Sequence, residues 1–292
     1  MNNKETKHVE TNNQFTTRKP DFLIIGAMKA GTTSIYKDLS THSLVYLPEQ
    51  KEPETLVKFG DNYKKIADDY KSLFKFAKPH QFVGEASTSY SKLPLFPNTA
   101  KRALDLCGPK LKIIYIKRDP IQRIISHFKH DISWGAVKPD DDINEVIFSN
   151  PEYINISNYS YQLEPWLNHF EQENILVVDF ENYIKNKNMV IGDILLHIGI
   201  EDDFQVALSK PQNKSDYKPV ISTLRGKFLV TPILRTKFFQ RHIKRLIPDS
   251  IRKKITLFIL PNTGNLSEKI ILSDDSKRKL EEHFQQLKIE MS

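Results

Sequence analysis

The stretch from Pro20 to Leu39, PDFLIIGAMKAGTTSIYKDL, constrains the fold of this chain more than any other. It begins with a continuous apolar run at residues 22–25, which is typical of a strand buried on both faces of a parallel sheet. The loop GAMKAGTTS follows, and Ile35, Tyr36 and Leu39 then recur at helical spacing. A strand, a glycine-containing loop and a helix in this order bind phosphate groups, because the loop amides and the positive end of the helix face one anion. The stretch therefore predicts an anion site.

The side chains of this loop indicate the same kind of ligand. Lys29 adds a compact cation beside Ala30 and Gly31, and three hydroxyl residues add hydrogen-bond donors: Thr32, Thr33 and Ser34. The glycines alone would indicate no more than a tight turn between a strand and a helix. The loop is not the Walker A sequence GxxxxGK[ST], because its lysine lies two residues before Gly31 instead of directly after it.

Composition narrows the class of protein. A chain of 292 residues, 39% hydrophobic and 27% charged, suits a soluble α/β protein, and we expect one domain over residues 19–292. The net charge of +7 favours an anionic ligand or surface. Cys107 is the only cysteine, which excludes an internal disulfide and favours a reducing compartment. Residues 1–18 are polar, and no apolar run reaches the roughly 18 residues of a membrane helix, so we expect a flexible tail on a cytoplasmic protein.

The rest of the chain alternates short apolar runs with helical patterns. Further strands are predicted at 44–47, 81–85, 111–117 and 175–180. Strands and helices that alternate at this spacing predict an α/β fold, P-loop-like, with a mainly parallel central sheet in a three-layer α/β/α arrangement. Residues 132–150 are predicted to be loop.

The strand at 111–117 leads into a second group of candidate site residues. It ends at Arg118, and Asp119 with Pro120 is suited to begin a helix as N-cap and first helical residue. The core-facing stripe of that helix consists of Ile121, Ile124, Ile125 and Phe128. Ser126 lies on another side, roughly 100° or more away at 3.6 residues per turn, and is therefore available to a ligand.

A basic amphipathic segment occupies about residues 218–262. Between residues 218 and 254, eleven lysines or arginines face a single acid and alternate with apolar side chains. The segment fits one of two roles. It is either a solvated lid or a surface that binds an anionic partner, which is a polyanion or an anionic membrane such as the inner membrane face. A closing helix is predicted at 273–290, with Ser273 as its cap.

Together, KAGTTS at 29–34 and IYIKRDP at 114–120 with Ser126 resemble the sulfotransferases that use 3′-phosphoadenosine 5′-phosphosulfate (PAPS), in particular the bacterial and heparan-sulfate branch. The resemblance runs from about Pro20 to Pro211. It implies that residues 29–34 hold the 5′-phosphosulfate and that Arg118 and Ser126 hold the 3′-phosphate, with adenosine 3′,5′-bisphosphate (PAP) as product and no metal. The segment Lys-Glu-Pro at 51–53 corresponds to the family segment that supplies the general base, which makes Glu52 the predicted base. Lys29 is the second predicted catalytic residue, as a cation. The family usually continues this segment with His-Phe-Phe, whereas this chain has Glu-Thr-Leu at 54–56, so the resemblance does not extend to the residues beside the base or to the acceptor pocket.

Several alternatives stay open at this stage. Glu85, at the end of another predicted strand, is the second candidate for the base, and His127 is a third because histidine is the commonest general base. The acceptor is predicted to be a hydroxyl or amine of a carbohydrate or glycolipid. ILVVD at 175–179 keeps a Mg²⁺-dependent P-loop kinase or NTPase as an alternative, although Asp179 also fits a helix cap. A non-enzymatic protein that binds polyanions or membranes through residues 218–254 is the other alternative. Nucleic acid is not expected as a partner, because no recognition module accompanies the charge.

Overall fold

The computed structural model describes residues 18–138, 140–201 and 270–289, with side chains to residue 286 in the last helix. Within these residues the strands are β1 Phe22–Gly26, β2 Val45–Tyr46, β3 Phe82–Ala86, β4 Lys112–Lys117 and β5 Ile175–Asp179. The helices are α1 Thr32–Leu39, α2 Thr55–Lys58, α3 Tyr63–Leu73, α4 Thr99–Cys107, α5 Pro120–Trp134, α6 Ile143–Ser149, α7 Glu152–Asn155, α8 Tyr159–Leu167, α9 Phe180–Lys185, α10 Lys187–His197 and α11 Asp274–Ile289. Short 3₁₀ turns lie at Thr88–Ser91 and Gln172–Asn174.

The strands form one parallel sheet in the order β2-β3-β1-β4-β5. The chain leaves β1 toward one side of the sheet, where β3 and β2 lie, and returns to β4 on the other side. The carboxyl ends of β1 and β4 therefore flank the switch point of the sheet, where open α/β sheets place their ligands. The predicted α/β class with a mainly parallel sheet flanked by helices is confirmed.

The first core packs around the sheet. All five residues of β1 are fully or nearly fully buried, and so are the middle residues of β4. This burial explains why both strands are continuous apolar runs in the sequence, since helices cover both faces of a parallel sheet.

A second core lies beside the sheet, where α5, α6, α7 and α11 meet. Ile124 and Phe128 of α5 are buried here against Leu280 and Phe284 of α11. The helical stripe predicted from the sequence thus packs as expected. The predicted loop at 132–150 is wrong in part, because α5 continues to Trp134 and residues 143–149 form α6. Its apolar residues Ile143 and Ile147 are buried against α5, a long-range contact that local polarity concealed.

The ends of the helices follow capping rules. The Asp119 carboxylate accepts a hydrogen bond from the Gln122 amide at 2.8 Å, and Pro120 is the first residue of α5. Ser273 accepts a hydrogen bond from the Ser276 amide at 3.1 Å before α11. The basic segment at 218–262 and the tail at 1–17 lie outside the described residues.

Candidate active site

The loop between β1 and α1 forms one wall of the candidate site. Lys29 has φ 69° and Gly31 has φ 96°, so two left-handed residues turn the chain sharply from the strand into the helix. Gly31 is the N-cap of α1 and no side chain caps this helix. The first amides of α1 are therefore available to an anion, and the helix dipole favours negative charge at the same place.

Arg118 forms a second wall beside this loop, directly after β4. Its Nη1 donates a hydrogen bond to the carbonyl oxygen of Lys29 at 3.3 Å. The hydroxyl of Tyr159 donates to the carbonyl oxygen of Arg118 at 2.7 Å, which fixes the backbone there. The guanidinium lies over the ring of Phe180 at 5.1 Å. Its Nε is buried and has no hydrogen-bond partner among the described residues, so a donor remains for an anionic ligand.

One cavity of about 560 Å³ brings these groups together. The phosphate-loop residues Lys29, Gly31 and Thr32–Ser34 line it, and so do Arg118 and Ser126. Ala30, also predicted to contact the donor, is fully buried and faces the core, so its side chain does not line the cavity. The volume lies within the usual range for small-ligand sites, roughly 300–1,000 Å³. Two cationic walls and a row of hydroxyls thus surround a space large enough for a small polyanion.

Glu52 lines the same cavity from a loop between β2 and α2. One carboxylate oxygen forms an ion pair with Lys51, and the other accepts from the Thr88 amide at 2.6 Å and from the Thr88 hydroxyl at 3.2 Å. Lys51 Nζ also lies 3.4 Å from the Thr32 hydroxyl. Lys51 therefore connects the carboxylate with the first turn of α1.

Glu85 has a different environment from Glu52. Its side chain is fully buried, and it is not among the described residues that line the cavity. Its carboxylate accepts hydrogen bonds from three hydroxyls, those of Tyr70, Ser87 and Tyr90. Burial raises the pKa of Glu85 to about 7, while the three hydroxyl bonds act in the opposite direction. A buried carboxyl with these partners has no access to an acceptor in the cavity.

His127 and Asp179 also have structural partners. The His127 ring lies beside the fully buried Arg123 and 3.5 Å from the Asp131 carboxylate. Burial, followed by the charge of Arg123, lowers the pKa of His127 to about 2. Asp179 accepts a hydrogen bond from the Asn182 amide at 3.0 Å and so caps α9.

Two contributors to the site were not identified from sequence. Phe180, directly after β5, lies against both Arg118 and Gly31, and only the neighbouring position of β4 and β5 brings it there. Thr88 holds Glu52 from the turn after β3. Its hydroxyl-rich context, ASTSYS, was a weak signal, because hydroxyl residues are common in any loop.

The described residues contain neither a membrane-spanning helix nor a group of side chains suited to a metal ion. Within residues 18–138, 140–201 and 270–289, no helix is both long and apolar enough to cross a membrane. Nor does this part of the chain contain three or more His, Cys, Asp or Glu side chains grouped so as to hold a metal ion.

The parallel sheet and the cationic cavity at its switch point define an α/β protein of the kind that binds phosphorylated ligands. Comparison with protein families assigns the family. The family described as "Sulfotransferase domain" matches residues 19–223, most of the chain, so the protein belongs to the sulfotransferase family. The predicted family is confirmed, and the comparison gives no support to the P-loop NTPase alternative.

Individual relatives agree with this assignment. The bifunctional heparan sulfate N-deacetylase/N-sulfotransferase 1 of Xenopus laevis is 31% identical over 195 residues, which cover 60% of this chain and 22% of that protein. The bifunctional heparan sulfate N-deacetylase/N-sulfotransferase of Drosophila melanogaster is 26% identical over 242 residues, or 72% of this chain and 22% of that protein. The chain therefore spans about a fifth of the length of these relatives.

A solved structure shares the fold. The crystal structure of a sulfotransferase from Alicyclobacillus acidocaldarius superposes with a TM-score of 0.55 at 22% identity. The match covers 89% of this chain and 99% of that one.

Proposed function

We propose that the protein transfers a sulfuryl group from PAPS to a hydroxyl or amine of a carbohydrate acceptor. The observation that carries the proposal is the single cavity that joins the phosphate loop, Arg118 with Ser126, and Glu52. Membership of the sulfotransferase family supports the donor. The unpartnered Nε of Arg118 and the uncapped start of α1 are donors that fit its phosphate groups.

The two walls suit the two ends of the donor. Lys29 and the hydroxyls of residues 32–34 are suited to hold the 5′-phosphosulfate, from which PAPS supplies the sulfuryl group. Arg118 and Ser126 are suited to hold the 3′-phosphate, because a guanidinium can donate two parallel hydrogen bonds to one phosphate. This pairing would select the 3′-phosphorylated nucleotide over ATP. PAP is the expected product, and no metal is needed because the cationic loop replaces it.

Lys29 and Glu52 are the proposed catalytic residues. Lys29 would neutralise the negative charge that develops on the leaving phosphate, and one well-placed donor of this kind contributes on the order of 3 kcal/mol. Glu52 would accept the proton of the acceptor hydroxyl or amine at its carboxylate, a role worth roughly 10² to 10⁴ in rate. Thr88 and Lys51 hold the two carboxylate oxygens so that the side chain stays directed into the cavity.

An exposed aromatic side chain in the cavity lining supports a carbohydrate acceptor. Trp134 is 65% exposed and lines the cavity together with Lys92 and His130. A broad aromatic face and a lysine suit a sugar ring that carries polar or anionic groups. The relatives named above, which are heparan sulfate N-deacetylase/N-sulfotransferases, support the same class of acceptor.

The basic segment at residues 218–254 lies outside the described residues, and its contact with an anionic membrane or polyanionic acceptor remains a prediction. Such binding would weaken steeply with salt and would survive Lys29→Ala.

A transfer assay tests the proposed function. PAPS labelled in its sulfuryl group is incubated with purified protein and with saccharides that carry either free or acetylated amines. We expect label in at least one saccharide, a loss of at least about 100-fold in Glu52→Gln, and PAP affinity unchanged within about twofold in that variant. Full activity of Glu52→Gln would remove Glu52 as the base. Absence of PAP binding by wild-type protein in calorimetry would contradict the donor site itself.

A further inference from the structure

The buried carboxylate of Glu85 has a set of partners that the proposed chemistry does not use. Oε1 accepts from the hydroxyls of Tyr90 at 2.5 Å and Tyr70 at 3.2 Å, and Oε2 accepts from the hydroxyl of Ser87 at 2.8 Å. A buried charge is costly unless hydrogen bonds compensate for it, and an apolar side chain would fill this space at less cost. The carboxylate therefore requires an explanation beyond packing.

Two of the three hydroxyls make a second hydrogen bond, and both reach the same loop. The Glu54 amide donates to the Ser87 hydroxyl at 3.0 Å, and the Leu56 amide donates to the Tyr90 hydroxyl at 3.1 Å. A hydroxyl has one proton to donate. Because Glu85 accepts that proton from Ser87 and from Tyr90, the lone pairs of both oxygens are left to accept from the loop amides.

The loop that receives these bonds needs support. Glu52 has φ 58° and Glu54 has φ 57°, a left-handed conformation that is unfavourable for residues other than glycine. Strand β3 holds the loop from one side, where the Glu52 amide donates to the Ala86 carbonyl oxygen at 3.0 Å. The two hydroxyls hold it again two and four residues later.

We propose that Glu85 is a positioning residue that fixes the loop at residues 52–56 through Ser87 and Tyr90, and so holds Glu52 in the cavity. Its catalytic consequence rests on the proposed function, in which Glu52 is the base. Its structural part, the restraint on the Glu54 and Leu56 amides, stands independently of any activity.

Glu85→Gln tests the inference with little change of shape. The glutamine amide nitrogen donates instead of accepting, so either Ser87 or Tyr90 loses the acceptor of its own proton, and the hydroxyl orientation that leaves its oxygen free to accept from the loop amide is no longer fixed. Amide hydrogen exchange, resolved by residue, is measured on the whole chain. We expect exchange at Glu54 or Leu56 to accelerate about tenfold, while exchange in strand β1 stays unchanged relative to global stability.

Three further variants separate the contributions. Ser87→Ala should accelerate exchange at Glu54 alone, and Tyr90→Phe at Leu56 alone, in case Glu85→Gln folds poorly. Tyr46→Phe is the matched control, because it also removes a tyrosine hydroxyl, which donates to the Leu73 carbonyl oxygen at 3.2 Å instead of to Glu85. It should leave both loop amides unchanged. Equal acceleration in β1 and the loop, or no acceleration at either amide in Glu85→Gln, would overturn the inference.

Kinetics connect the loop to catalysis. In Glu85→Gln we expect kcat to fall about tenfold or more while PAP affinity changes less than about twofold, because the phosphate-binding walls do not contact Glu85. Accelerated loop exchange in a protein without sulfuryl transfer would leave the positioning inference standing and remove the proposed function. Sulfuryl transfer with unchanged kcat in Glu85→Gln would leave the proposed function standing and remove the positioning inference.

Discussion

Arg118 donates a hydrogen bond from Nη1 to the carbonyl oxygen of Lys29 at 3.3 Å, which joins the ends of β4 and β1 across the candidate site. The two residues are 89 positions apart in the chain, yet they follow neighbouring strands of the sheet. This proximity is what the proposed donor site requires, since one nucleotide has to contact both residues.

The Arg118 side chain gives the first prediction. Arg118→Lys keeps the positive charge but loses the planar pair of donors and the contact with Phe180, so PAP affinity should fall at least about tenfold. Titration calorimetry with PAP measures this loss. Arg278→Lys, at an exposed position on α11, is the control and should bind PAP like wild type. Equal affinity of Arg118→Lys and wild type would place the 3′-phosphate elsewhere.

Gly31 has no room for a side chain. An added Cβ would lie 2.4 Å from the ring of Phe180, and its φ of 96° is unfavourable for alanine. Gly31→Ala should therefore lower PAP affinity at least about tenfold and destabilise the protein by about 1–3 kcal/mol. In Gly192→Ala, the control, the added Cβ meets no atom of the described structure within 4 Å, and this helical substitution should stabilise by about 0.5–1 kcal/mol. Thermal unfolding with and without PAP distinguishes the two effects.

Lys51 should affect turnover more than donor binding. Lys51→Met removes the ion pair to Glu52 and the contact with Thr32, so the carboxylate loses one of its two restraints. We expect kcat to fall about tenfold, with a smaller change in PAP affinity. Lys58→Met removes a more exposed ion pair to Asp69 and should leave kcat unchanged. Equal kinetics in the two variants would contradict a role for Lys51.

Glu85 should make stability depend on pH. Burial raises the pKa of Glu85 from 4.5 to about 7, so folding favours the protonated form. The resulting stabilisation is complete below about pH 4.5 and is lost as the pH rises through about 7, a change of about 3 kcal/mol. The ionisable groups that face this carboxyl are Tyr36, Glu52, Tyr70, Tyr90 and Cys107.

Glu85→Gln removes this titration. The difference in unfolding free energy between wild type and Glu85→Gln should therefore change in favour of Glu85→Gln between pH 5 and 8. Denaturant unfolding at several pH values measures it, and other titrating groups cancel in the difference. A difference that is independent of pH would show that the carboxyl ionises normally.

Trp134 gives a prediction for the acceptor. Trp134→Ala should raise KM for the saccharide about tenfold with little change in PAP affinity, because this exposed ring lines the cavity but is not among the residues proposed to hold the phosphates. Phe76→Ala, at a 75% exposed position that does not line the cavity, is the control. A rise in KM for both variants would indicate a general effect on stability.

The sequence alone determined the phosphate loop, the helix after Arg118 and the α/β class. These features depend on local chemistry: strand β1 is apolar throughout, the loop concentrates a lysine and hydroxyls, and Asp119-Pro120 begins a helix. Glu52 was named as the base through its motif, and the structure places it in the cavity with Arg118 and Ser126.

Tertiary structure decided which residues meet in the candidate site. That depends on which strands are neighbours and which side chains they bury. The order β3-β1-β4 brings Lys29 to Arg118, and β5 beside β4 adds Phe180. Glu52 and Glu85 both follow or end short apolar runs and look alike in the sequence. Only packing buries Glu85 among hydroxyls and leaves Glu52 facing the cavity, since burial is a property of the folded surroundings and not of the residue.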